Sequence, residues 1–147
     1  MAISRVRDCS IAEALSIVGD RWTLLAVREL MFGVTRFNDI AEHTGASRDI
    51  LTSRLRRLES EGYIRREKYS DRPPRFDYRL TGSGEQLLPL LLALMRLGDD
   101  RRADSPPVTW RHGRDDGEHD LVVEVTCHVC GEPATQGIHS PHGIGVQ

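Results

Sequence analysis

Four side chains near the C-terminal end have metal-ligand chemistry. Cys127, Cys130, His139 and His142 read C-x2-C-x8-H-x2-H, two thiols and two imidazoles, the donor types of a tetrahedral structural zinc ion. Gly131 follows the second cysteine and suits the tight turn of a zinc knuckle, and His128 is a further donor in the same turn. The gap between the two pairs is shorter than in a DNA-binding finger, and the histidines stand one residue closer than is usual. Structural zinc, lone reactive thiols and a half-formed motif in a flexible tail therefore all stay open. A thioredoxin-like use of the C-x-x-C has no βαβ pattern around it. The third cysteine, Cys9, lies beside Arg7 and Asp8 at the start of an expected helix. A helix N-terminus and a nearby cation lower a thiol's pKa and expose it to oxidants and electrophiles. The competing reading of Cys9 is a small apolar side chain packed at a subunit interface.

A second constellation is made of arginines and short hydroxyls. In "SRDILTSRLRRLESEGYIRRE", Ser47 is an N-cap, Leu51, Leu55 and Leu58 fall at i, i+4 and i+7, and Gly62 marks the end of a helix. With that leucine stripe buried, a rotation of about 100° per residue turns Asp49, Thr52, Ser53 and Arg56 outward. A helix entering the major groove reads bases from its N-terminal half, so Arg56 suits guanine, Thr52 and Ser53 suit bases or phosphates, and Arg48 on the flank suits a phosphate. Arg57 on this helix and Arg36 on the preceding one join the expected DNA-facing set with Ser47. Arg72 and Arg75 flank Pro73 and Pro74 on the tip of an expected hairpin, where they can reach the minor groove. The plainer reading of these arginines is a solvated face paired with Asp49, Glu59 or Glu61.

The surrounding elements follow from caps and periodicity. Over "CSIAEALSIVG", Ile11, Leu15 and Val18 share a face and the helix stops at Gly19. Asp20 caps a second helix with Leu24, Val27 and Met31 inward. Thr35 caps a short third helix, "RFNDIAEHTG", with Phe37, Ile40 and Ala41 inward and Gly45 closing it. Two helices joined by a short glycine-containing turn have the form of a helix-turn-helix. "YIRREKY" and "RFDYRLT" are strands joined by the stiff turn "SDRPP". Thr81 starts a last helix running to residue 103, apolar on nearly every face between Leu87 and Leu97. So small a core cannot cover it, which points to the same helix or the N-terminal helix of a second copy.

Whole-chain properties are compatible with this reading. The 147 residues are 39% hydrophobic and 29% charged, with a formal net charge of -2, so attraction to DNA must be local. Residues 34–81 carry eleven basic against eight acidic side chains, whereas the segment from Asp104 onward is acidic. Residues 1–103 are expected to form the main domain, 104–119 a Pro- and Gly-rich linker, and 120–147 a separate tail. The longest apolar run, Leu87 to Met95, is interrupted by Pro89 and falls short of the ~20 residues that cross a bilayer. With no secretory signal pattern and an odd number of cysteines, the expected compartment is the cytoplasm. There is no glycine-rich phosphate loop, H-E-x-x-H or nucleophile elbow, and an enzyme is not expected.

The segments "DRWTLLAVRELMFGVTRFNDI", "SRDILTSRLRRLESEGYIRRE" and "PPRFDYRLTGSGEQL" together resemble the HxlR family of bacterial winged helix-turn-helix regulators, relatives of the MarR type, over about Cys9 to Leu97. The resemblance implies an α+β winged-helix fold, mainly helical with a β-hairpin wing, to which the tail adds a small element with the donors of a zinc ribbon. It also implies a homodimer through the first and last helices that binds a palindromic operator on double-stranded DNA, repression being the expected outcome. Several family members sense quinones, aldehydes or hypochlorite through an N-terminal cysteine, which makes Cys9 the candidate redox sensor and an oxidant or small molecule the candidate effector. Some also carry a C-terminal C-x-x-C-G. Asp49 departs from the lysine-type residues that the family often has there, and either accepts from cytosine N4 or repels a phosphate. The rival classes are a winged-helix protein-interaction module that binds no DNA, and a thiol redox protein using Cys127 and Cys130.

Overall fold

Six helices and four strands make up the described part of the chain, residues 9–114 and 117–134 of a computed structural model. Helices α1 (Ser10–Val18), α2 (Arg21–Met31), α3 (Phe37–Thr44) and α4 (Arg48–Ser60) come first. The hairpin β1 (Ile64–Asp71) and β2 (Pro74–Leu80) follows, then α5 (Gly82–Glu85), α6 (Leu88–Asp99) and a second hairpin, β3 (Arg111–Arg114) with β4 (Gly117–Asp120). The backbone divides into two compact units between Leu91 and Leu92.

Local chemistry accounts for most boundaries in the first unit. The Asp20 carboxylate accepts from the Trp22 and Thr23 amides, which satisfies two of the donors that the start of α2 leaves open. The Ser47 hydroxyl accepts from the Ile50 amide in the same way at α4. Beyond α4, Gly62 adopts φ +79°, and the amides of Gly62 and Tyr63 donate back to the carbonyls of Glu59 and Leu58. This double closure needs a left-handed residue, which glycine adopts without a steric cost.

The core is built where α2, α3 and α4 meet the start of β1: Ala26, Val27, Leu30, Ile40, Ala46, Leu51, Leu55, Leu58 and Ile64. Each fully buried Val, Ile or Leu there contributes about 1.5–3 kcal/mol relative to exposure. The expected inward face of α2 was only partly right. Val27 is buried and Met31 packs half-buried against the core, but the other buried residues on that side are Thr23, Ala26 and Leu30, whereas Leu24 is half-buried outside the core cluster. An apolar stripe alone does not reveal this.

Three further expectations change. Thr35 does not cap α3; the N-cap position belongs to Arg36 and has no side-chain cap bond. Thr35 instead donates its hydroxyl to Asp77 and its carbonyl accepts from the Tyr78 amide, so the α2–α3 loop lies against β2. The single helix expected from Thr81 is broken into α5 and α6. Pro89 has no amide to continue a helix from α5, and it sits in the first turn of α6, where none is required. Finally, the stretch 104–119 expected as a linker carries β3 and the first residues of β4.

The β1–β2 hairpin is antiparallel, pairing Ile64 with Leu80, Arg66 with Tyr78 and Lys68 with Phe76, and Tyr69 is the extra residue of a bulge between Lys68 and Ser70. On one face the Arg66 guanidinium lies over the Phe76 ring. On the other, Glu67 accepts from both Arg65 and Arg79, the opposite-charge pairing that steadies adjacent strands. Those two hydrogen bonds, Arg79 first, keep the Glu67 carboxyl below its ordinary range. Gly84 in α5 packs onto the exit of the hairpin so closely that a β-carbon would stand 2.1 Å from the Tyr63 carbonyl oxygen.

Candidate nucleic-acid interface

Burial of Leu51, Leu55 and Leu58 at 1% exposure or less decides which side of α4 meets solvent. Asp49, Ser53, Arg56 and Arg57 are exposed and Thr52 is half-buried, so the outward set expected from periodicity is outward in the fold. Beyond its Ser47 cap, α4 therefore presents a carboxylate and two hydroxyls in its N-terminal half and the guanidinium of Arg56 just past its middle.

The cations around this helix fall into two groups. Arg48 donates through both terminal nitrogens to the Asn38 side-chain oxygen at 2.9 Å and lies near the Phe37 ring, which ties α4 to α3. Arg54 donates to both carboxylate oxygens of Asp20, at 2.9 and 3.3 Å. Arg36 pairs with Asp77 at 2.9 Å and stacks over Tyr69. Arg66 pairs with Glu59, and Lys68 with Asp71. By contrast, Arg56, Arg57, Arg72 and Arg75 have no ion pair or side-chain hydrogen bond with another described residue. Arg72 and Arg75 are exposed at the hairpin tip beside Pro73 and Pro74. Of the nine residues expected to face DNA, Arg36, Ser47 and Arg48 hold the scaffold as well, and the four arginines without partners lie on α4 and the wing. A concavity of about 450 Å³ between the start of α3 and the wing is lined by Arg36, Asn38, Tyr69 and Arg75 among others.

Two positioning groups escaped the sequence reading. Asp20 was legible as a cap, but its second role, receiving Arg54 from 34 residues away, was not. Burial raises the pKa of the Asp20 carboxyl, yet the hydrogen bonds from Arg54, Thr23 and Trp22 and the charge of Arg54 outweigh it and hold the group below the ordinary 3.8. Glu29 is buried at 4% exposure and accepts from Arg28 at 2.6 Å and pairs with His43 at 2.8 Å. A carboxylate so placed must be paired, and the partner from α3 binds that helix to α2.

The cysteines occupy different settings. Cys9 is exposed at the N-cap of α1, and its carbonyl accepts from the Glu13 amide. Cys127 is half-buried and Cys130 exposed, neither in a disulfide. Backbone amides of Cys130 and Val129 and the Cys130 thiol donate to the Cys127 sulfur and hold its pKa below the ordinary thiol value. His139 and His142 lie outside the described residues. Among the described residues no three His, Cys, Asp or Glu side chains gather as a metal site, and no helix is long and apolar enough to cross a membrane.

Residues 17–105 match the model of the HxlR-like helix-turn-helix family. The chain belongs to that family. A Mycobacterium tuberculosis relative, the uncharacterised HTH-type transcriptional regulator Rv3095, is 43% identical over 141 residues, covering 92% of this chain and 88% of its own. Among solved structures, PA1607, described as a candidate transcription factor, superposes with a TM-score of 0.73 at 30% identity over 95% of this chain and 94% of its own. The redox regulator HypR in its oxidised form superposes with a TM-score of 0.59 at 30% identity, over 65% of this chain and 100% of its own. This HxlR-like chain is thus a DNA-binding transcriptional regulator of the helix-turn-helix type and not an enzyme, and its winged-helix fold is the one its motifs implied.

The Asp20–Arg54 contact yields a stability test. Replacing Asp20 with alanine removes a helix cap and a partly exposed ion pair, and is expected to cost about 1–2 kcal/mol at neutral pH. Asp20→Asn keeps the cap and costs less. Because the native carboxyl titrates below its unfolded value, its contribution is complete well above 3.8 and disappears as pH falls through the native value. Denaturant unfolding of wild type and Asp20→Asn should therefore converge in acid. A gap that stays constant from neutral to strongly acid pH would contradict the assignment.

Proposed function

We propose that this regulator binds a palindromic operator as a homodimer in the cytoplasm, with α4 in the major groove and the tip of the β1–β2 hairpin against the neighbouring minor groove. The observation that carries the reading is the division among the cations. Most arginines near the motif are held by carboxylates or an amide oxygen, while Arg56, Arg57, Arg72 and Arg75 point outward without partners among the described residues. Arg21, Arg96, Arg101 and Arg102 also lack an ion pair with another described residue, but among the arginines of the helix pair and the hairpin, residues 35–80, those without a partner all lie on α4 and the hairpin tip, the two elements that reach the grooves of a duplex. In this arrangement Arg56 donates to a guanine edge, Thr52 and Ser53 reach bases or phosphates, and Arg57, Arg72 and Arg75 meet phosphates or the minor-groove edge. Arg36, Ser47 and Arg48 complete the interface while holding α3 and α4 in place. A DNA-free interaction module would turn these arginines toward an acidic protein partner and show no preference for one palindrome, and a redox enzyme would leave them unused.

The dimer is supported by apolar side chains left uncovered within a single chain. Ile11 and Leu15 of α1 are 70% and 56% exposed, and Leu90, Leu94 and Leu97 along one face of α6 are 40%, 41% and 64% exposed. A second copy covering these faces brings two recognition helices to successive half-sites about one helical turn apart.

Redox control through Cys9 is a further part of the proposal, supported by its exposure at a helix N-cap and by the likeness to HypR, which is described as a redox regulator. Oxidant or electrophile treatment is expected to change operator affinity of the wild type and to leave Cys9→Ser unaffected. An equal response in both would remove Cys9 from the sensor role.

Two substitutions test the DNA face. Arg56→Ala should lose about 1–3 kcal/mol of discrimination at one base position of each half-site, whereas Arg75→Ala should weaken specific and random DNA alike and lower the salt slope by about one. Binding isotherms on operator, single-base variants and random duplex over a salt series read both effects. If the two substitutions act equally on specific and random DNA, the division of labour between helix and wing is wrong.

A further inference from the structure

The side of α6 turned away from Leu90, Leu94 and Leu97 is one wall of a cavity. Leu92, Met95, Arg96 and Asp99 line it and fall at i, i+3, i+4 and i+7. A rotation of about 100° per residue sets them opposite the three exposed leucines. Across a space of about 440 Å³ stand Val108, Trp110 and Leu121 of the segment that follows α6. The Leu121 amide donates to the Trp110 carbonyl at 2.7 Å, which carries the β3–β4 pairing one step beyond Arg111 and Asp120. The second wall is thus the continuation of a hydrogen-bonded hairpin.

The apolar side chains of this unit surround a space instead of closing on one another. Among the described residues from Leu92 to Ala134, Leu92 alone is buried, and Trp110 and Leu121 are half-buried. The volume falls within the roughly 300–1,000 Å³ of small-molecule sites, and walls of leucine, methionine, valine and tryptophan suit an apolar or aromatic body. The polar lining selects the charge. Asp99, Asp120 and Glu124 share the cavity with one cation, Arg96. Asp120 is met by Arg111 at 3.4 Å, while Asp99 and Glu124 have no ion pair with another described residue. With Arg111 set against Asp120 and Arg96 against one of the other two, one carboxylate is left over. A neutral occupant would leave that charge beside apolar surface without a partner, and an anion would add repulsion.

We propose that this cavity binds an amphipathic organic monocation, an aromatic or branched apolar body that carries an ammonium or phosphonium charge, and that such a cation is an effector of the regulator. No residue of α4 or of the β1–β2 hairpin lines the cavity, so its occupant leaves the proposed DNA face clear. It lies against the reverse side of the helix whose exposed leucines form the proposed dimer contact, and its influence on DNA runs through that contact. Binding of the cation stands independently of DNA, whereas the effector role rests on operator binding by the dimer.

The full chain is titrated calorimetrically with tetraphenylphosphonium and with tetraphenylborate, two ions of nearly the same size and shape and opposite charge. The phosphonium is expected to saturate at one per chain and to bind at least about tenfold more tightly than the borate. The double substitution Asp99→Asn, Glu124→Gln should remove most of that preference. Trp110→Ala should weaken both ions, and Trp110→Phe, which keeps an aromatic wall, should restore them and so separate loss of the site from loss of the fold. Absence of saturable binding, equal affinity for the two ions, or phosphonium binding unchanged by Trp110→Ala or by the double substitution overturns the site. Saturating phosphonium should also shift operator affinity of the wild type and not of Trp110→Ala; an unshifted affinity in the wild type overturns the effector role. Because the calorimetric titration contains no DNA, a failure of operator binding does not alter its outcome.

Discussion

The stripe of Leu51, Leu55 and Leu58 on α4 is the constraint on which the rest of the site depends. A helix that buries one line of side chains has no freedom left in its rotation about its own axis, so the opposite line is committed to solvent. Here the buried line packs with Val27, Leu30 and Ile40 in the shared core, and the committed line is Asp49, Thr52, Ser53 and Arg56. Recognition chemistry is thus positioned by burial on the far side of the helix, without any contact of its own to the core.

Electrostatics then refine what packing has set. Asp20 fixes the start of α2 and, through Arg54, the middle of α4. Asn38 fixes the start of α4 through Arg48, and Asp77 fixes the start of α3 through Arg36. Each of these partly exposed pairs contributes modestly to stability, but together they link α2 to α4, α3 to α4 and the start of α3 to the wing. They also neutralise the arginines that serve the scaffold. Within the helix pair and the hairpin, Arg56, Arg57, Arg72 and Arg75 are left to supply local positive charge in a chain whose net charge is slightly negative.

Much of this was legible in the sequence because it is governed by local rules. Ser47 and Gly62 bracket α4 as caps do, the Pro-Pro turn separates two strands, and the leucine spacing assigns the faces of the helix. What escaped was decided by long-range contact. Thr35 has the side chain of a cap but is engaged by Asp77 across the fold. Thr23 and Ala26 belong to the buried face of α2, although Leu24 outside the core cluster is more hydrophobic. The break before Pro89 was visible as a residue type but was outweighed by the run of leucines around it. The pairing of β3 with β4 was masked by a composition that reads as linker.

The central claim is that this HxlR-like chain reads a particular DNA sequence through α4. The most direct measurement is fluorescence anisotropy with the purified full chain, comparing DNA from immediately upstream of its own gene with a scrambled duplex at near-physiological salt. The account predicts a preference of about 10³-fold or more for the upstream DNA, with one dimer bound per palindrome. Equal affinity for the two duplexes, under both reducing and oxidising conditions, would contradict it.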